Sequence, residues 1–301
     1  MTSAQENGLR NWVQDKRVQA PTGPRMLAVT GGKGGVGKSN FSLNFAIALG
    51  QLGQRTLLID CDSGLGNIDV LLGLYAPHHL GQVMTGEATI DQAIMAGPGD
   101  LEILPAASGV QALGKATAAE AGRLLKALAG VSQRYQVVIF DTSAGLGPQV
   151  RSLLKAAPEA IVITTPEPTA LADAYATIKV LAAFKHPPAI QVVVNSADNA
   201  REAQAVIDSI AAVSARFLGQ SPSYLGFIPK DPSVPLAVKS QSPFLVASPN
   251  CPASRAVKGL AAAWTGAEPV AEERPDLWSM FRSMWGNAGA VLRPSREKVS
   301  G

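Results

Sequence analysis

Between residues 26 and 49 the chain passes from an uninterrupted apolar run, Met26–Thr30, through Gly31-Gly32-Lys33-Gly34-Gly35-Val36-Gly37-Lys38-Ser39, into a helical pattern, Ser39–Leu49. A strand with no polar face must be covered on both sides, and a helix that starts directly after it must return across the sheet. The same alternation continues downstream. Apolar runs that read as buried strands are Thr56–Asp60, Leu101–Pro105, Gln136–Asp141, Ala160–Thr165, Ile190–Asn195 and Ser223–Ile228. Helical patterns such as Ala118–Val131, Thr169–Phe184 and Arg201–Phe217 lie between most of them. Short helices are expected between Asn67 and Gly97, and a helix-like stretch, Pro252–Trp264, closes the body. The expected fold class is α/β, a mainly parallel sheet covered by helices on both faces.

The expected domain covers residues 26–265. Residues 1–25 are polar, end in Pro21-Thr22-Gly23-Pro24 and read as a tail and linker, while 266–301 form a second tail. With 47% hydrophobic and 16% charged residues, the chain has the material for a sizeable core. Two cysteines, Cys61 and Cys251, exclude a disulfide framework or a four-cysteine metal site in one chain, and three histidines leave little for a metal centre. A net charge of +3 is too mild for a nucleic-acid-coating surface, so direct nucleic-acid binding is not expected. No apolar run reaches the roughly 20 residues of a membrane span, and Met1–Val18 has no signal-peptide core. A soluble protein of the reducing cytoplasm is expected.

Read from Gly32, the glycine-rich stretch satisfies G-x-x-x-x-G-K-[ST]. Glycines let the backbone fold back and aim N–H groups at phosphate oxygens, and the helix N-terminus adds the positive end of its dipole. Lys38 is expected at the β- and γ-phosphates and Ser39 on Mg²⁺. The nucleotide-binding candidates here are Gly32, Lys33, Gly34, Gly35, Val36, Gly37, Lys38, Ser39 and Asn40, with ATP and Mg²⁺ as the cofactors. Asp141 ends one strand, where this loop's fold places the acid that holds Mg²⁺ through water. Asp60 and Asp62 end another. Ligands of open α/β sheets bind beyond the C-terminal strand ends, so these groups converge on one site.

Lys33 is not needed by an ordinary phosphate loop. The stretch KGGVGKS, with its second lysine near the front, resembles the deviant Walker A motif of the MinD/ParA family of ATPases. Asp60-Cys61-Asp62-Ser63-Gly64-Leu65-Gly66-Asn67-Ile68-Asp69 resembles that family's switch I, and Asp141-Thr142-Ser143-Ala144-Gly145 its switch II. The resemblance covers roughly residues 26–264 and implies a MinD-like P-loop NTPase fold and slow ATP hydrolysis. It implies that Lys33 reaches the nucleotide of the other subunit in an ATP-induced homodimer and that Asp62 positions or activates the attacking water. It further implies that Asp141 holds Mg²⁺ through water, that Gly145 senses the γ-phosphate, and that Asn195, helped by the Pro229–Asp231 loop, contacts adenine. Lys33, Lys38 and Asp62 are the catalytic candidates.

Septum-site members usually carry Arg where this chain has Gly66, which favours another branch. Pro105-Ala106-Ala107-Ser108-Gly109, Pro166-Glu167-Pro168-Thr169 with Asp173-Ala174-Tyr175-Ala176, Arg216-Phe217-Leu218, Tyr224 to Pro229, Asp231-Pro232-Ser233-Val234, and Ala237-Val238 with Gln241 resemble the flagellar-number regulators of the MinD group, the FlhG/FleN branch. That resemblance implies control of flagellar number, placement or gene expression. The implied partners are a flagellar GTPase of the signal-recognition-particle type and/or an enhancer-binding transcription activator. Ala4-Gln5-Glu6-Asn7-Gly8-Leu9-Arg10 resembles in part the branch's GTPase-activating D-Q-A-x-x-L-R, with Ala4 and Glu6 departing from it. Two other readings stay open, a ParA-like chromosome or plasmid partition ATPase and a nucleotide-dependent sequestering module with negligible hydrolysis. A nitrogenase-reductase-like protein needs two cluster-ligating cysteines per subunit, which Cys61 and Cys251 do not suit; Cys61 reads as a small buried residue.

In the second tail, Leu277, Trp278, Met280, Phe281, Met284 and Trp285 recur on one face of a helical period over about 275–286, with Pro275 in the first turn. Trp and Phe opposite Arg282 suit a bilayer interface. The resemblance agrees, since the MinD group is associated with a C-terminal membrane-binding helix. Reversible contact through Leu277, Trp278, Phe281, Met284 and Trp285 would place the protein peripherally at the inner face of the cell membrane; the alternative for the same face is docking on the protein's own sheet or in its dimer groove.

Overall fold

The computed structural model describes residues 23–62, 68–105 and 117–266. The membrane-helix candidates, the partial GTPase-activating segment, Gly66 and Ala106–Gly109 lie outside the described residues. Strand β1 (Arg25–Thr30) leads through the glycine-rich loop into α1 (Lys38–Gln51) and β2 (Thr56–Cys61). Short helices α2 (Ile68–Leu72), α3 (Leu80–Thr85) and α4 (Ile90–Ala93) fill the stretch where short helices were expected, followed by β3 (Met95–Ala96) and β4 (Glu102–Leu104). The chain then alternates: α5 (Ala118–Ser132), β5 (Val137–Thr142), α6 (Pro148–Ala156), β6 (Glu159–Thr164), α7 (Pro168–Ala182), β7 (Ala189–Ala197), α8 (Ala200–Leu218) and β8 (Ser223–Pro229). Helices α9 (Ser233–Lys239), α10 (Phe244–Ala247) and α11 (Pro252–Gly266) complete it.

The eight strands form one sheet in the order β3-β4-β2-β5-β1-β6-β7-β8. Only the β3–β4 pairing is antiparallel. The seven apolar runs read from the sequence are β1, β2 and β4 to β8. Strand β3 is the addition, and at two residues it is too short to show any period.

Side chains alternate across the sheet and feed two separate cores. Met26, Ala28, Leu57, Ile59, Val138 and Phe140 point to the face covered by α3 to α8. Leu27, Val29, Leu58, Ile139, Ile161 and Ile163 point to the face covered by α1 and α9 to α11. Helix α1 is buried along most of its length from Phe41 to Leu49, so its sequence shows no strong polar stripe. Phe41 stacks on Phe45 with centroids 4.9 Å apart, and Phe45 meets the edge of Trp264 at 5.8 Å, which locks α1 against α11.

The end of the sheet opposite the glycine-rich loop is closed by one buried ion pair. Arg25 Nε and Nη2 donate to Glu159 Oε1 and Oε2 at 2.6 and 2.7 Å, and Nη1 donates to the Trp264 carbonyl at 2.7 Å. Trp264 Nε1 donates to the same carboxylate at 3.1 Å, and the guanidinium lies 3.5 Å from the indole centroid. Both Glu159 oxygens accept and all three Arg25 nitrogens donate, so removing one partner strands a charge in the core. Glu159→Ala should lower the unfolding free energy by about 3–5 kcal/mol, while the paired change Arg25→Met with Glu159→Leu should cost less than the single one. Urea unfolding of both variants checks this, and a double variant at least as unstable as Glu159→Ala would contradict it.

Candidate functional site

The loop between β1 and α1 is fixed by what surrounds it. A Cβ at Gly32 would lie 2.3 Å from the carbonyl oxygen of Asp173 in α7. Gly37 is left-handed at φ 93°, and a Cβ there would lie 2.3 Å from Asn195 Nδ2. Asn195, near the end of β7, donates from Nδ2 to the carbonyl of Val36 at 2.8 Å and so holds the loop from the side. Gly34 and Gly35 face open space, with nothing within 4 Å of an added Cβ. The loop is closed where the protein packs and open where a ligand would lie.

Lys38 and Ser39 begin α1. Lys38 is 8% exposed, and its Nζ donates to the carbonyl of Lys33 at 3.2 Å, inside the curl of the loop. Burial pulls the Lys38 ammonium below its usual pKa, while the charges of Asp141 and Asp62 hold it up. The register of the sheet places the acids. Asp60 of β2 pairs with Asp141 of β5, and Asp141 pairs with Val29 of β1. Asp141 is fully buried; its Oδ1 accepts from Ser42 Oγ at 2.7 Å and its Oδ2 has no hydrogen-bond partner. Burial pushes the Asp141 carboxyl up to about 6; the Ser39 and Ser42 hydroxyls and the Lys38 charge oppose this, and Asp62 adds to it.

Asp60 is 1% exposed and spans the ends of the switch I segment. Its Oδ1 accepts the N–H of Asp62 at 2.9 Å and its Oδ2 the N–H of Ile68 at 3.3 Å. Asp60 is therefore the anchor, and Asp62 stands beyond it, close enough to Lys38 and Asp141 to act on the charge of both. Cys61 between them is buried, and burial with the charges of Asp60, Asp141 and Asp62 pushes its thiol well up, which makes it unreactive. Gly145 is left-handed at φ 84° and donates its N–H to the carbonyl of Gly31 at 3.4 Å, so switch II rests on the phosphate loop.

A cavity of about 800 Å³ opens beside the loop, lined by Gly35, Gly37, Asn40, Asn195, Pro229 and Asp231, together with Phe41, Val234, Val238 and Phe244. Asp231 fixes its wall, accepting from Ser233 N–H at 2.9 Å and Ala253 N–H at 3.0 Å. The sequence-derived candidates Gly32 to Asn40, Asp62, Asp141, Gly145 and Asn195 thus gather at one end of the sheet. Lys33 is the exception in direction. Its side chain is 41% exposed, and its Nζ lies at the start of α7 of its own chain, 2.9 Å from Oε2 of the capping residue Glu167 and 3.1 Å from Thr169 Oγ1. Ser42 was not anticipated, although its spacing three residues after Ser39 puts both hydroxyls on one helix face.

The orphaned, buried Asp141 Oδ2 beside the Ser39 and Ser42 hydroxyls is an all-oxygen donor set that fits Mg²⁺, which keeps several of its waters when bound. Ser39 and Asp141 would hold the ion, and its charge would offset that of Asp60, Asp62 and Asp141.

The Asp141 carboxyl has a predictable effect on the nucleotide-free protein. Its folded pKa, about 6, lies above the unfolded value near 3.9. Its contribution to stability is therefore complete below about pH 4 and is lost as pH rises through about 6. Without nucleotide or Mg²⁺, Asp141→Asn should match the wild type near pH 4 and exceed its unfolding free energy by about 2–3 kcal/mol at pH 7. Denaturant melts across this range test it, and a stability difference independent of pH would contradict it.

The profile of the CobQ/CobB/MinD/ParA nucleotide binding domain matches residues 27–244. Antiactivator FleN of Pseudomonas aeruginosa is 40% identical over 237 residues, covering 79% of this chain and 85% of that protein. Flagellum site-determining protein YlxH of Helicobacter pylori is 32% identical over 203 residues, covering 65% of this chain and 68% of that one. The septum site-determining protein MinD of Pyrococcus horikoshii, solved with Mg-ADP, superposes with a TM-score of 0.67 at 25% identity and covers 81% of this chain and 96% of its own. The cell division ATPase MinD of Pyrococcus furiosus gives 0.66 at 25% identity, covering 80% and 98%. The chain therefore belongs to the CobQ/CobB/MinD/ParA nucleotide-binding family, in its MinD/ParA group of ATPases that work on ATP with Mg²⁺.

Proposed function

We propose that the chain is an ATP-driven dimerisation switch that hydrolyses ATP slowly and, through protein partners, regulates flagellar number, placement or gene expression. The observation that carries the switch is the contrast between its two loop lysines. Lys38 is buried inside the loop, while Lys33 is exposed at the front and bonded away from its own phosphate site. A second ammonium that does not serve its own nucleotide is available to the nucleotide of a second copy. The flagellar role is supported by the relationship to antiactivator FleN and to YlxH. Of the two partners the resemblance implies, the name antiactivator favours the transcription activator.

In this reading the loop N–H groups and Lys38 bind the phosphates in a partly dry site, where a fixed ammonium acts more strongly than in water. Asp62, oriented by its N–H bond to Asp60, holds the attacking water. Mg²⁺, when bound, neutralises charge on the phosphate oxygens. Asn195, with the Pro229–Asp231 loop, flanks the base in the open cavity. Lys33 of each copy completes the partner's site. Dimerisation then brings together two C-terminal segments with apolar Leu277, Trp278, Phe281, Met284 and Trp285, which raises avidity for a bilayer without new contacts. No helix among the described residues is long and apolar enough to cross a membrane.

One set of variants tests the mechanism. With Mg·ATP, Lys33→Ala should still bind nucleotide but fail to dimerise, whereas Asp62→Ala should dimerise and remain dimeric. Light scattering reads both, and a Lys33→Ala protein that dimerises like the wild type would remove the trans role. With anionic vesicles added, sedimentation should require Mg·ATP and be lost in Trp278→Glu with Phe281→Glu, which should still dimerise. Equal vesicle binding with ADP and ATP would remove the nucleotide gating.

A further inference from the structure

A link across the nucleotide face is left unused by the phosphate chemistry. Helix α9 forms one wall of the base cavity through Val234, Pro235, Val238 and Lys239. Directly after it the chain turns at Gln241, a non-glycine residue in the left-handed region at φ 51°. Gln241 donates its backbone N–H to the Val238 carbonyl at 3.1 Å, so its position follows the helix. Its side-chain Nε2 donates to the carbonyl of Val70 in α2 at 3.1 Å. Gly73, left-handed at φ 62°, leaves room for this contact, since a Cβ there would lie 3.3 Å from Gln241 Cβ and Oε1.

Helix α2 is a single short turn: Ile68 is its one fully buried residue, Leu71 and Leu72 pack on the core from partly exposed positions, and Val70 is 57% exposed. Two polar contacts, at its first and its middle residue, add to that packing in fixing its placement. Gln241 holds Val70, and Asp60 Oδ2 accepts the Ile68 N–H. The other oxygen of that buried carboxylate accepts the Asp62 N–H. The base cavity, α9, Gln241, α2, Asp60 and Asp62 form one bonded series. Short elements with few buried contacts are the ones that a single bond can bias.

We propose that Gln241 is a positioning residue for hydrolysis, which transmits occupation of the base cavity through α2 to the placement of Asp62. The proposal rests on the reading of Asp62 as the water-orienting carboxylate and of the cavity as the base site. A base that settles α9 settles the Gln241 amide, and with it the Val70 carbonyl and the first turn of α2. Gln241 touches neither nucleotide nor water in this scheme, so its loss should appear in turnover and not in affinity.

Three variants separate the possibilities. Gln241→Glu keeps the size but offers no N–H to Val70 at neutral pH, Gln241→Ala removes the amide, and Gln241→Gly also relieves the left-handed backbone. Each should lower kcat for ATP by about three- to tenfold, the worth of one hydrogen bond, at protein concentrations above the dimerisation midpoint. Affinity for a non-hydrolysable ATP analogue should stay within about twofold. Ribose 5-triphosphate, which has the phosphates and no base, supplies the readout that general loosening would not move. The wild type should turn over ATP faster than the baseless triphosphate at saturation, and the variants should bring that ratio towards one. Gln241 variants with wild-type kcat, or with a lowered kcat and an unchanged ratio, would overturn the link while Asp62→Ala is inactive. An Asp62→Ala protein with wild-type turnover would instead overturn the Asp62 reading, and the proposal with it.

Discussion

The nucleotide site depends on a backbone passage that has no room for side chains. At Gly32 the chain runs against the Asp173 carbonyl of α7, and at Gly37 it turns left-handed against Asn195, each within 2.3 Å of where a Cβ would sit. These contacts press the loop between α7 and β7 and leave Gly34 and Gly35 facing free space. Placement of β1 at the centre of the sheet follows from the same demand. Its neighbours β5 and β6 bring Asp141 to one side of the loop and the start of α7 to the other. Helix α1 is buried along most of its length because it must start at the loop and return beneath α11.

Charge is arranged around that passage by burial. Asp60, Asp141 and Lys38 are all at most 8% exposed, and Asp62 acts on the last two. The acids outnumber the one ammonium buried with them, which is a suitable field for a divalent cation, while burial, helped by Asp62, pushes the Asp141 carboxyl up to about 6. Lys33 is kept out of this group. Its exposed ion pair with Glu167 is of the kind that contributes at most about 1 kcal/mol, so it holds the lysine in reserve without trapping it. Lys38 is thus fixed inside the loop and Lys33 sits in an exposed pair, which the proposed switch would have it exchange for the nucleotide of a second copy.

Most of the fold was legible because parallel strands covered on both faces read as continuous apolar runs, as Thr56–Asp60 and Ala160–Thr165 do. The phosphate loop was legible for a different reason, since its glycines and lysine answer a demand of local backbone geometry. What escaped was set by pairing at a distance. Strand β3 exists only through its pairing with β4, and the four-residue α10 is held by Asn44 Oδ1, which accepts the Leu245 N–H. Ser42, Glu167 and Thr169 entered the site through neighbours about 100 or more residues away. The resemblance singled out Asp62 for the attacking water; what it did not reveal was the anchoring role of Asp60, which depends on the N–H groups of Asp62 and Ile68 that it accepts.

The central claim is that one chain holds an incomplete site and that a second copy's Lys33 completes it. The dependence of ATPase rate per protomer on protein concentration tests this most directly. The account predicts that the specific rate rises with concentration and levels off at the midpoint where light scattering shows the Mg·ATP dimer. A specific rate that is constant from far below that midpoint to far above it would contradict the account.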